Sequence, residues 1–359
     1  MKILVGMSGG VDSAVTAYLL KQAGHEVIAA TMSIWDKEEV FKIASGKQGC
    51  FSPHEEKDIE HSRKICDQLD IPYYIFDCTE QYKKIVLQNF KQEYLNGRTP
   101  NPCVLCNSLI KFDVLPITSK QHGLEFEKFA TGHYARLSYN EQINRYCIQE
   151  AIDKSKDQSY FLYRLSQEQL SKIILPLGNY HKSEIRKIAH EAKLPICDKP
   201  DSQDFYSGDI NDIIQATPKT GNFVNTEGKI LGQHQGIWNY TIGQRRGLGI
   251  SAEKPLYVLN LNKDKNEVVL GFADETFKSG LIADSINWLS IATIHQNTKV
   301  FAKIRSSQKK VEAIAQITPQ NELKVEFTDM QKALTPGQSV VLYDQDEFVL
   351  GGGFIKSVF

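Results

Sequence analysis

The first two dozen residues constrain the fold more than any other part of the chain. An apolar run at residues 3–5 is followed at once by the turn "GMSGGVDS" and by a helix-like apolar pattern. A second apolar run, "EVIAATMSI", begins at residue 26. Strand, helix and strand in this order predict two parallel strands joined by a crossover helix.

The same alternation returns further along the chain. The segment 54–71 predicts an amphipathic helix, "PYYIFDC" (72–78) and "EFEKFATGHYA" (125–135) predict strands, and 182–195 predicts another helix that ends near Pro195. We therefore expect an α/β fold with a parallel sheet over residues 1–205.

The pattern changes near residue 206, where strands become short and turns rich in glycine and asparagine. "KPLYVLNLNKDKNEVVLG" (254–271) predicts a hairpin. After it comes a run of alternating strands that is typical of a small barrel. We predict a parallel-sheet domain over 1–205, a small central domain over 206–275 and a C-terminal β-barrel over 276–359.

Bulk properties narrow the class of protein. A chain of 359 residues is too long for a single ordinary hydrophobic core, so more than one domain is expected. Its content of 41% hydrophobic and 24% charged residues is typical of a soluble protein. We expect a cytoplasmic protein, because the sequence enters its first strand without a signal peptide. The seven cysteines favour buried or reactive thiols over a disulfide framework. With a net charge of −1, a nucleic-acid site would have to be a local basic surface.

The first turn has the composition of an anion site. Small residues before a helix leave backbone N–H groups free to bind phosphate, and Ser8 and Ser13 add hydroxyl groups. The turn is not the common P-loop, since GxxxxGK[ST] is absent. An ordinary glycine-rich turn is the alternative.

"SGGVDS" resembles the PP-loop of the ATP pyrophosphatase family, which has the adenine nucleotide alpha hydrolase-like fold. The resemblance implies a loop that holds the phosphates of ATP while a carbonyl oxygen is adenylated. It assigns ATP binding to Gly6, Met7, Ser8, Gly9, Gly10, Val11, Asp12 and Ser13. Asp12 would also help to hold Mg²⁺, a cation that prefers oxygen ligands.

A second motif, Cys103-x-x-Cys106, lies in "GRTPNPCVLCNSLIKF" (97–112). A zinc site would need a second pair of ligands, and none is evident. Another interpretation is that the two thiols are buried and only pack in the core. We favour a reactive pair, because a position near a helix N-terminus is expected to lower the pKa of a thiol.

The segment 97–112 resembles the signature of the bacterial tRNA-specific 2-thiouridylases. Similar blocks occur throughout the chain at 130–135, 156–165, 176–186, 199–205, 240–250 and 335–343. The resemblance implies ATP-dependent 2-thiolation of the wobble uridine of tRNA, by adenylation of uracil O2 and sulfur transfer from a cysteine persulfide. It implies tRNA and a sulfur-relay donor protein as partners, and neither a membrane nor DNA.

The resemblance also assigns residues. Cys106 would be the nucleophile, and Met32 and Gly132 would contact ATP, although Met32 suits core packing as well. The target base would meet Asn101, Pro102 and Cys103. Contacts with tRNA would come from His133, Lys156, Asp157, Gln158, Arg305, Ser306 and Gln338. His133 could instead be a loop histidine whose hydrogen bonds are all made within the protein.

One position departs from the family pattern. A second catalytic cysteine normally follows "DSQ", but this chain carries Tyr206 there, and a phenol cannot carry sulfane sulfur. Cys103 could act instead, as we favour, or Cys197, or an iron–sulfur cluster on Cys103, Cys106 and Cys197. The other four cysteines are interpreted as packing residues: Cys50, Cys66, Cys78 and Cys147.

Basic residues are concentrated locally. Residues 154–193 contain eight Lys or Arg and four Asp or Glu, and Arg245, Arg246 and "KIRSSQKK" (303–310) add further positive charge. Two rival functions stay open: a catalytically impaired tRNA-binding paralogue, suggested by Tyr206, and another PP-loop synthetase that acts on a small carboxylate.

Overall fold

The computed structural model describes residues 1–36, 49–197, 205–206 and 208–359. The motif "DSQ" before Phe205 lies outside these residues. The first seven strands are β1 (Lys2–Gly6), β2 (Glu26–Ser33), β3 (Tyr73–Asp77), β4 (Lys128–Ala130), β5 (Ala135–Asn140), β6 (Arg145–Glu150) and β7 (Ile173–Ile174). Five of them form a parallel sheet in the order β3-β2-β1-β4-β7, and β5 and β6 form an antiparallel hairpin. The predicted parallel α/β fold is confirmed.

Helices cover both faces of this sheet. They are α1 (Val11–Gln22), α2 (Glu55–Gln68), α3 (Thr79–Tyr82), α4 (Gln88–Leu95), α5 (Pro102–Leu105), α6 (Leu115–Gln121), α7 (Ser159–Leu162), α8 (Gln167–Ser171), α9 (Lys182–Glu191) and α10 (Ile210–Ile214). Two π-helical segments, Lys83–Leu87 and Cys106–Val114, join α3 to α4 and α5 to α6. Helix α9 ends before Pro195, with Ala192 as its C-cap.

Alternate residues of the strands point into two separate cores. Leu4, Ile28 and Ala30 face one cluster, together with Tyr82, Phe90 and Ile110. Ile3, Val5 and Val27 face the other cluster, which α1, α2 and α9 cover. Because side chains alternate along a strand, the two clusters lie on opposite faces of the sheet.

The central part of the chain forms a four-stranded sheet. Its strands are β8 (Gly221–Val224), β9 (Ile230–His234), β10 (Tyr257–Asn262) and β11 (Glu267–Gly271), in the order β10-β11-β8-β9. The predicted hairpin is present as the antiparallel pair β10–β11. Buried residues of this sheet, such as Phe223 and Val258, belong to the same core as Leu4 and Tyr82.

A closed antiparallel barrel follows, as predicted. Its strands are β12 (Phe277–Trp288), β13 (Thr298–Lys303), β14 (Val311–Ile317), β15 (Leu323–Lys332), β16 (Ser339–Tyr343) and β17 (Val349–Val358). The order around the barrel is β12-β15-β14-β13-β16-β17, and β17 pairs again with β12. Closure leaves the barrel without an unpaired edge.

Buried tyrosines join the barrel to the first domain. The Tyr160 hydroxyl donates to the Ser339 carbonyl at 2.9 Å, and the hydroxyls of Tyr163 and Ser339 lie 3.1 Å apart. The Asn287 amide donates to the carbonyl of Tyr163 at 2.7 Å. Among the described residues, no helix is both long and apolar enough to cross a bilayer.

Candidate active site

The PP-loop connects β1 to α1 and is shaped by its own hydroxyl groups. The Ser8 N–H donates to Ser13 Oγ at 3.2 Å, and the Ser13 hydroxyl donates to the Gly10 carbonyl at 3.0 Å. Ser13 is buried, whereas Ser8 is exposed. Gly10 precedes the helix in an extended conformation, and no described side chain caps α1. The helix N-terminus therefore keeps amide groups that suit a phosphate.

Position 9 requires glycine, both for its backbone conformation and for the space around it. Its φ is +66°, and a Cβ at this position would come 2.4 Å from the Asp58 carbonyl oxygen of α2. Met7 and Val11, which flank the glycines, are buried. These two residues would meet a nucleotide through their backbone, because their side chains belong to the core.

Asp12 lies in a cluster that the sequence analysis did not anticipate. Lys182 Nζ is 2.8 Å from each carboxylate oxygen of Asp12, and the Tyr134 hydroxyl donates to Asp12 Oδ1 at 2.7 Å. The Lys182 side chain is only 10% exposed. Lys182 and Tyr134 both fall inside the motif blocks 176–186 and 130–135. A sequence pattern alone does not reveal that these two blocks meet at Asp12.

The other predicted nucleotide residues lie at the same edge of the sheet. Met32 is at the carboxyl end of β2, and Gly132 follows β4. Gly132 packs directly on the start of α1, since a Cβ there would lie 2.7 Å from the Asp12 carbonyl carbon. Neighbouring strand ends are where ligands bind in open parallel sheets. Met32, Gly132 and the PP-loop are thus brought together, and their contacts with ATP stay a prediction.

Cys103 and Cys106 lie at a helix start, as predicted. Helix α5 begins at Pro102 with Asn101 as its N-cap, and Cys106 begins the π-helix. Both thiols are half-buried. The predicted base-contacting stretch therefore lies at the start of α5 and of the π-helix that continues it, which together we call the cysteine helix.

The expected decrease of the thiol pKa is wrong for Cys106. Burial raises the pKa of Cys106 to about 11, and the nearby positive charge of Lys111 lowers it too little to offset the burial. Burial disfavours the charged thiolate. The Cys106 thiol is therefore protonated at neutral pH in this structure.

The remaining cysteines divide into two groups. Cys66, Cys78 and Cys147 are buried, as the packing interpretation requires, but Cys50 is exposed and that interpretation is wrong for it. Cys197 packs against the cluster of Ile3 and Val5, on the sheet face opposite to Cys106.

The described residues offer no ready iron–sulfur site. Within these residues, no three His, Cys, Asp or Glu side chains are grouped so that they could hold a metal ion. A cluster on Cys103, Cys106 and Cys197 does not fit this arrangement, because Cys197 packs on the other face of the sheet.

Two residues assigned to tRNA have structural contacts. His133 is 7% exposed and packs on Phe112, with its Nδ1 2.8 Å from the Thr131 hydroxyl. Burial, followed by the charge of Lys111, lowers its pKa well below the usual value. Asp157 accepts hydrogen bonds from the Ala151 N–H and the Ser159 hydroxyl, and burial raises its pKa.

The other tRNA assignments lie near the surface or at the barrel. Lys156, Gln158 and Ser306 are half-buried, and Gln158 accepts a hydrogen bond from the Tyr134 N–H at 2.9 Å. Arg305 donates to the Thr335 hydroxyl at 2.6 Å. The tRNA contacts of all these residues stay predictions.

Gln338 has a clear structural contact. Its side-chain amide donates to the carbonyls of Thr99 and Pro100, both at 3.0 Å. Beside it, the Thr99 N–H donates to the Pro336 carbonyl at 2.9 Å. The barrel turn at 335–338 therefore holds the loop that leads into the cysteine helix.

Comparison with known proteins matches all three parts of the chain. The family model described as "tRNA methyl transferase HUP domain" matches residues 1–206. The models "tRNA methyl transferase PRC-barrel domain" and "Aminomethyltransferase beta-barrel domain" match residues 210–272 and 278–355.

Relatives match over almost the full length. A protein of Endomicrobium trichonymphae named "tRNA-specific 2-thiouridylase MnmA" is 49% identical over 99% of both chains. One of the same name from Clostridium beijerinckii is 45% identical over 99% of both. This chain belongs to the tRNA-specific 2-thiouridylase family. A solved structure titled "Crystal structure of a 4-thiouridine synthetase - RNA complex with bound ATP" is 17% identical, with a TM-score of 0.34, over 60% of this chain and 45% of that chain.

In this thiouridylase-family chain, we expect Gln338→Ala to loosen the loop before Cys103. The substitution removes two hydrogen bonds, each with a net value of about 0.5–1.5 kcal/mol, so the opening free energy of residues 98–104 should fall by about 1–3 kcal/mol. Amide hydrogen exchange with peptide resolution measures this change. Gln331→Ala is the control, since Gln331 bonds to the Asp329 carbonyl of its own strand. Unchanged exchange at 98–104 would contradict the link.

The raised pKa gives a second prediction. In a Cys103→Ser background, iodoacetamide alkylation of Cys106 should rise about tenfold per pH unit between pH 7 and 10, because only the thiolate reacts. A free thiol with a pKa near 8.5 levels off above about pH 9. Quantitative peptide mass spectrometry follows the reaction. A plateau below pH 9 would show that burial does not control this thiol.

Proposed function

We propose that this protein catalyses the ATP-dependent 2-thiolation of the wobble uridine in tRNA. The observation that supports the proposal most is the combination, in one domain, of an uncapped PP-loop helix and a helix that presents two thiols. Full-length relatives named as tRNA-specific 2-thiouridylases support the same substrate.

In the first step, uracil O2 attacks the α-phosphorus of ATP, and pyrophosphate leaves. The backbone N–H groups at the start of α1 would bind the phosphates and stabilise their charge. Lys182 and Tyr134 would orient the Asp12 carboxylate. Asp12 is the residue that would hold Mg²⁺ brought by ATP, and it would then share its oxygens with Lys182. Mg²⁺ would neutralise phosphate charge.

In the second step, the terminal sulfur of a cysteine persulfide attacks C2, and AMP leaves. Adenylation makes this displacement feasible, because AMP is a far better leaving group than the original oxygen. Cys106 lies on the cysteine helix that the barrel turn holds in place. A sulfur-relay protein would supply the persulfide sulfur.

Binding of tRNA would use exposed positive charge. Arg245 and Arg246 are exposed in the turn 243–249, and Lys309 is exposed after β13. Several other basic residues are already paired: Lys154 with Glu150, Lys172 with Glu168 and Lys182 with Asp12. The uridine would be flipped from the anticodon loop into the site, at modest cost in a single-stranded loop.

We expect Lys182→Met to impair the first step. The substitution removes a charge-assisted contact of about 1.5–3 kcal/mol, so tRNA-dependent release of AMP should fall by about 10-fold to 100-fold. Cys106→Ser should keep AMP release and lose thiolation, because it lacks only the thiol. Radiolabelled ATP and mass spectrometry of digested tRNA measure the two steps.

Lys64→Met is the matched control, since its side chain is 59% exposed on α2. A wild-type protein that binds tRNA without forming AMP or thiouridine would refute the proposal and favour the impaired paralogue. AMP formation that depends on a small carboxylate instead of tRNA would favour another synthetase.

We also expect Arg245→Ala combined with Arg246→Ala to weaken tRNA binding mainly at low salt. Each lost phosphate contact should reduce the slope of log affinity against log salt by about 0.7–0.9. Filter binding at several salt concentrations measures the slope. An unchanged slope would place the tRNA elsewhere.

A further inference from the structure

Cys50 lies beside the position where the family pattern requires a cysteine and this chain has Tyr206. The Phe51 N–H donates to the Phe205 carbonyl at 2.9 Å. A Cβ at Gly49 would lie 2.9 Å from the Phe205 carbonyl oxygen and 3.2 Å from Tyr206 Cα. The backbone on either side of Cys50 is therefore packed against Phe205 and Tyr206.

Aromatic packing fixes this arrangement. Phe51 is fully buried, and its ring centroid lies 5.5 Å from Tyr82, 6.1 Å from Phe205 and 6.0 Å from Tyr206. The Trp35 ring centroid lies 4.7 Å from that of Phe51. Phe51 thus anchors the segment, while the adjacent Cys50 stays exposed.

The same anchor places Cys50 near the cysteine helix. Tyr82, on which Phe51 stacks, belongs to α3, and α3 packs against the π-helix that begins at Cys106. Cys106 packs on the same buried cluster as Phe51 and Tyr82. Cys50 is therefore held near the helix that carries Cys106, although the two cysteines are more than fifty residues apart in the sequence.

The phenol of Tyr206 is already used elsewhere. Its hydroxyl donates to Asp212 Oδ2 at 2.9 Å. Cys197 packs across the sheet from Cys106, and Cys66, Cys78 and Cys147 are buried. Of the thiols near Cys106, Cys50 is exposed and Cys103 is half-buried. A thiol that receives sulfur from a donor protein must be accessible, which favours Cys50 over Cys103.

We propose that Cys50 is the persulfide-carrying catalytic residue of this chain and that Cys106 is its resolving partner. The inference rests on the proposed function and replaces the expectation that Cys103 is the partner. A donor persulfide first transfers its sulfane sulfur to the Cys50 thiolate. The donor leaves as a thiolate.

The reaction then balances in two further steps. The terminal sulfur of the Cys50 persulfide forms a bond to C2, and the C2–O bond to AMP breaks. The Cys106 thiol next gives up its proton to solvent and attacks the Cys50 sulfur, so that 2-thiouridine leaves with the electron pair of the S–S bond. The sulfane sulfur is reduced, the two cysteines are oxidised to a disulfide, and an external dithiol reduces that disulfide.

The test compares sulfur transfer with AMP formation in the full-length protein. The sulfur source is L-cysteine with a cysteine desulfurase, and dithiothreitol is the dithiol. We expect Cys50→Ser to lower tRNA thiolation about 100-fold or more and to keep AMP release within about threefold of wild type. Cys197→Ser is the control and should thiolate tRNA like wild type.

A second variant separates chemistry from folding. Adding Tyr206→Cys to Cys50→Ser returns a thiol to the neighbouring backbone position, and we expect thiolation to recover to within about tenfold of wild type. In a single turnover without dithiol, non-reducing peptide mapping of the wild type should find a disulfide between Cys50 and Cys106.

Three outcomes would overturn the assignment. The first is full thiolation by Cys50→Ser, and the second is a disulfide between Cys103 and Cys106 after a single turnover. The third is that Cys50→Ser loses AMP release together with thiolation and that Tyr206→Cys restores neither, which would make Cys50 a structural residue. If the wild type forms neither AMP nor thiouridine, the proposed function itself fails.

Discussion

The Asp12–Lys182 ion pair joins the segments on which the nucleotide site depends. Asp12 lies in the first turn of α1, Tyr134 follows β4, and Lys182 begins α9, so one carboxylate ties together three separate parts of the first domain. Lys182 is nearly buried, and a buried amine without a partner is costly. The pair therefore fixes the position of α9 against the PP-loop. Gly132 approaches Asp12 so closely that no room is left for a Cβ.

A second constraint acts from the other end of the chain. The barrel contacts the loop before the cysteines through Gln338 and through the backbone of Pro336. Strand β16, which follows this turn, accepts a hydrogen bond from the Tyr160 phenol at the Ser339 carbonyl. The C-terminal barrel thus holds the loop that leads into α5. Its role in positioning the thiols is independent of any contact with tRNA.

Local patterns predicted the fold well, and long-range contacts account for what they missed. The spacing of apolar residues predicted β1, α1 and the C-terminal barrel, because buried residues recur at a fixed interval along a strand or a helix. The pair between Asp12 and Lys182 spans 170 positions, and no local pattern encodes it. The raised pKa of Cys106 could not be predicted either, because it depends on burial by residues that are distant in the sequence. The interpretation of Cys50 as a packing residue is wrong for a related reason: its neighbour Phe51 is buried, but its own side chain is exposed.

The sulfur site illustrates how a change in sequence can leave a chemical position filled. Residues 49–51 and 205–206 are far apart in the chain, yet their backbones are in contact and both pack through Phe51 and Phe205. A thiol can therefore be supplied to the neighbourhood of Cys106 from either segment. With Tyr206 bonded to Asp212 in one segment and Cys50 exposed in the other, the aromatic packing that holds the two together is what keeps a second sulfur near the reacting centre.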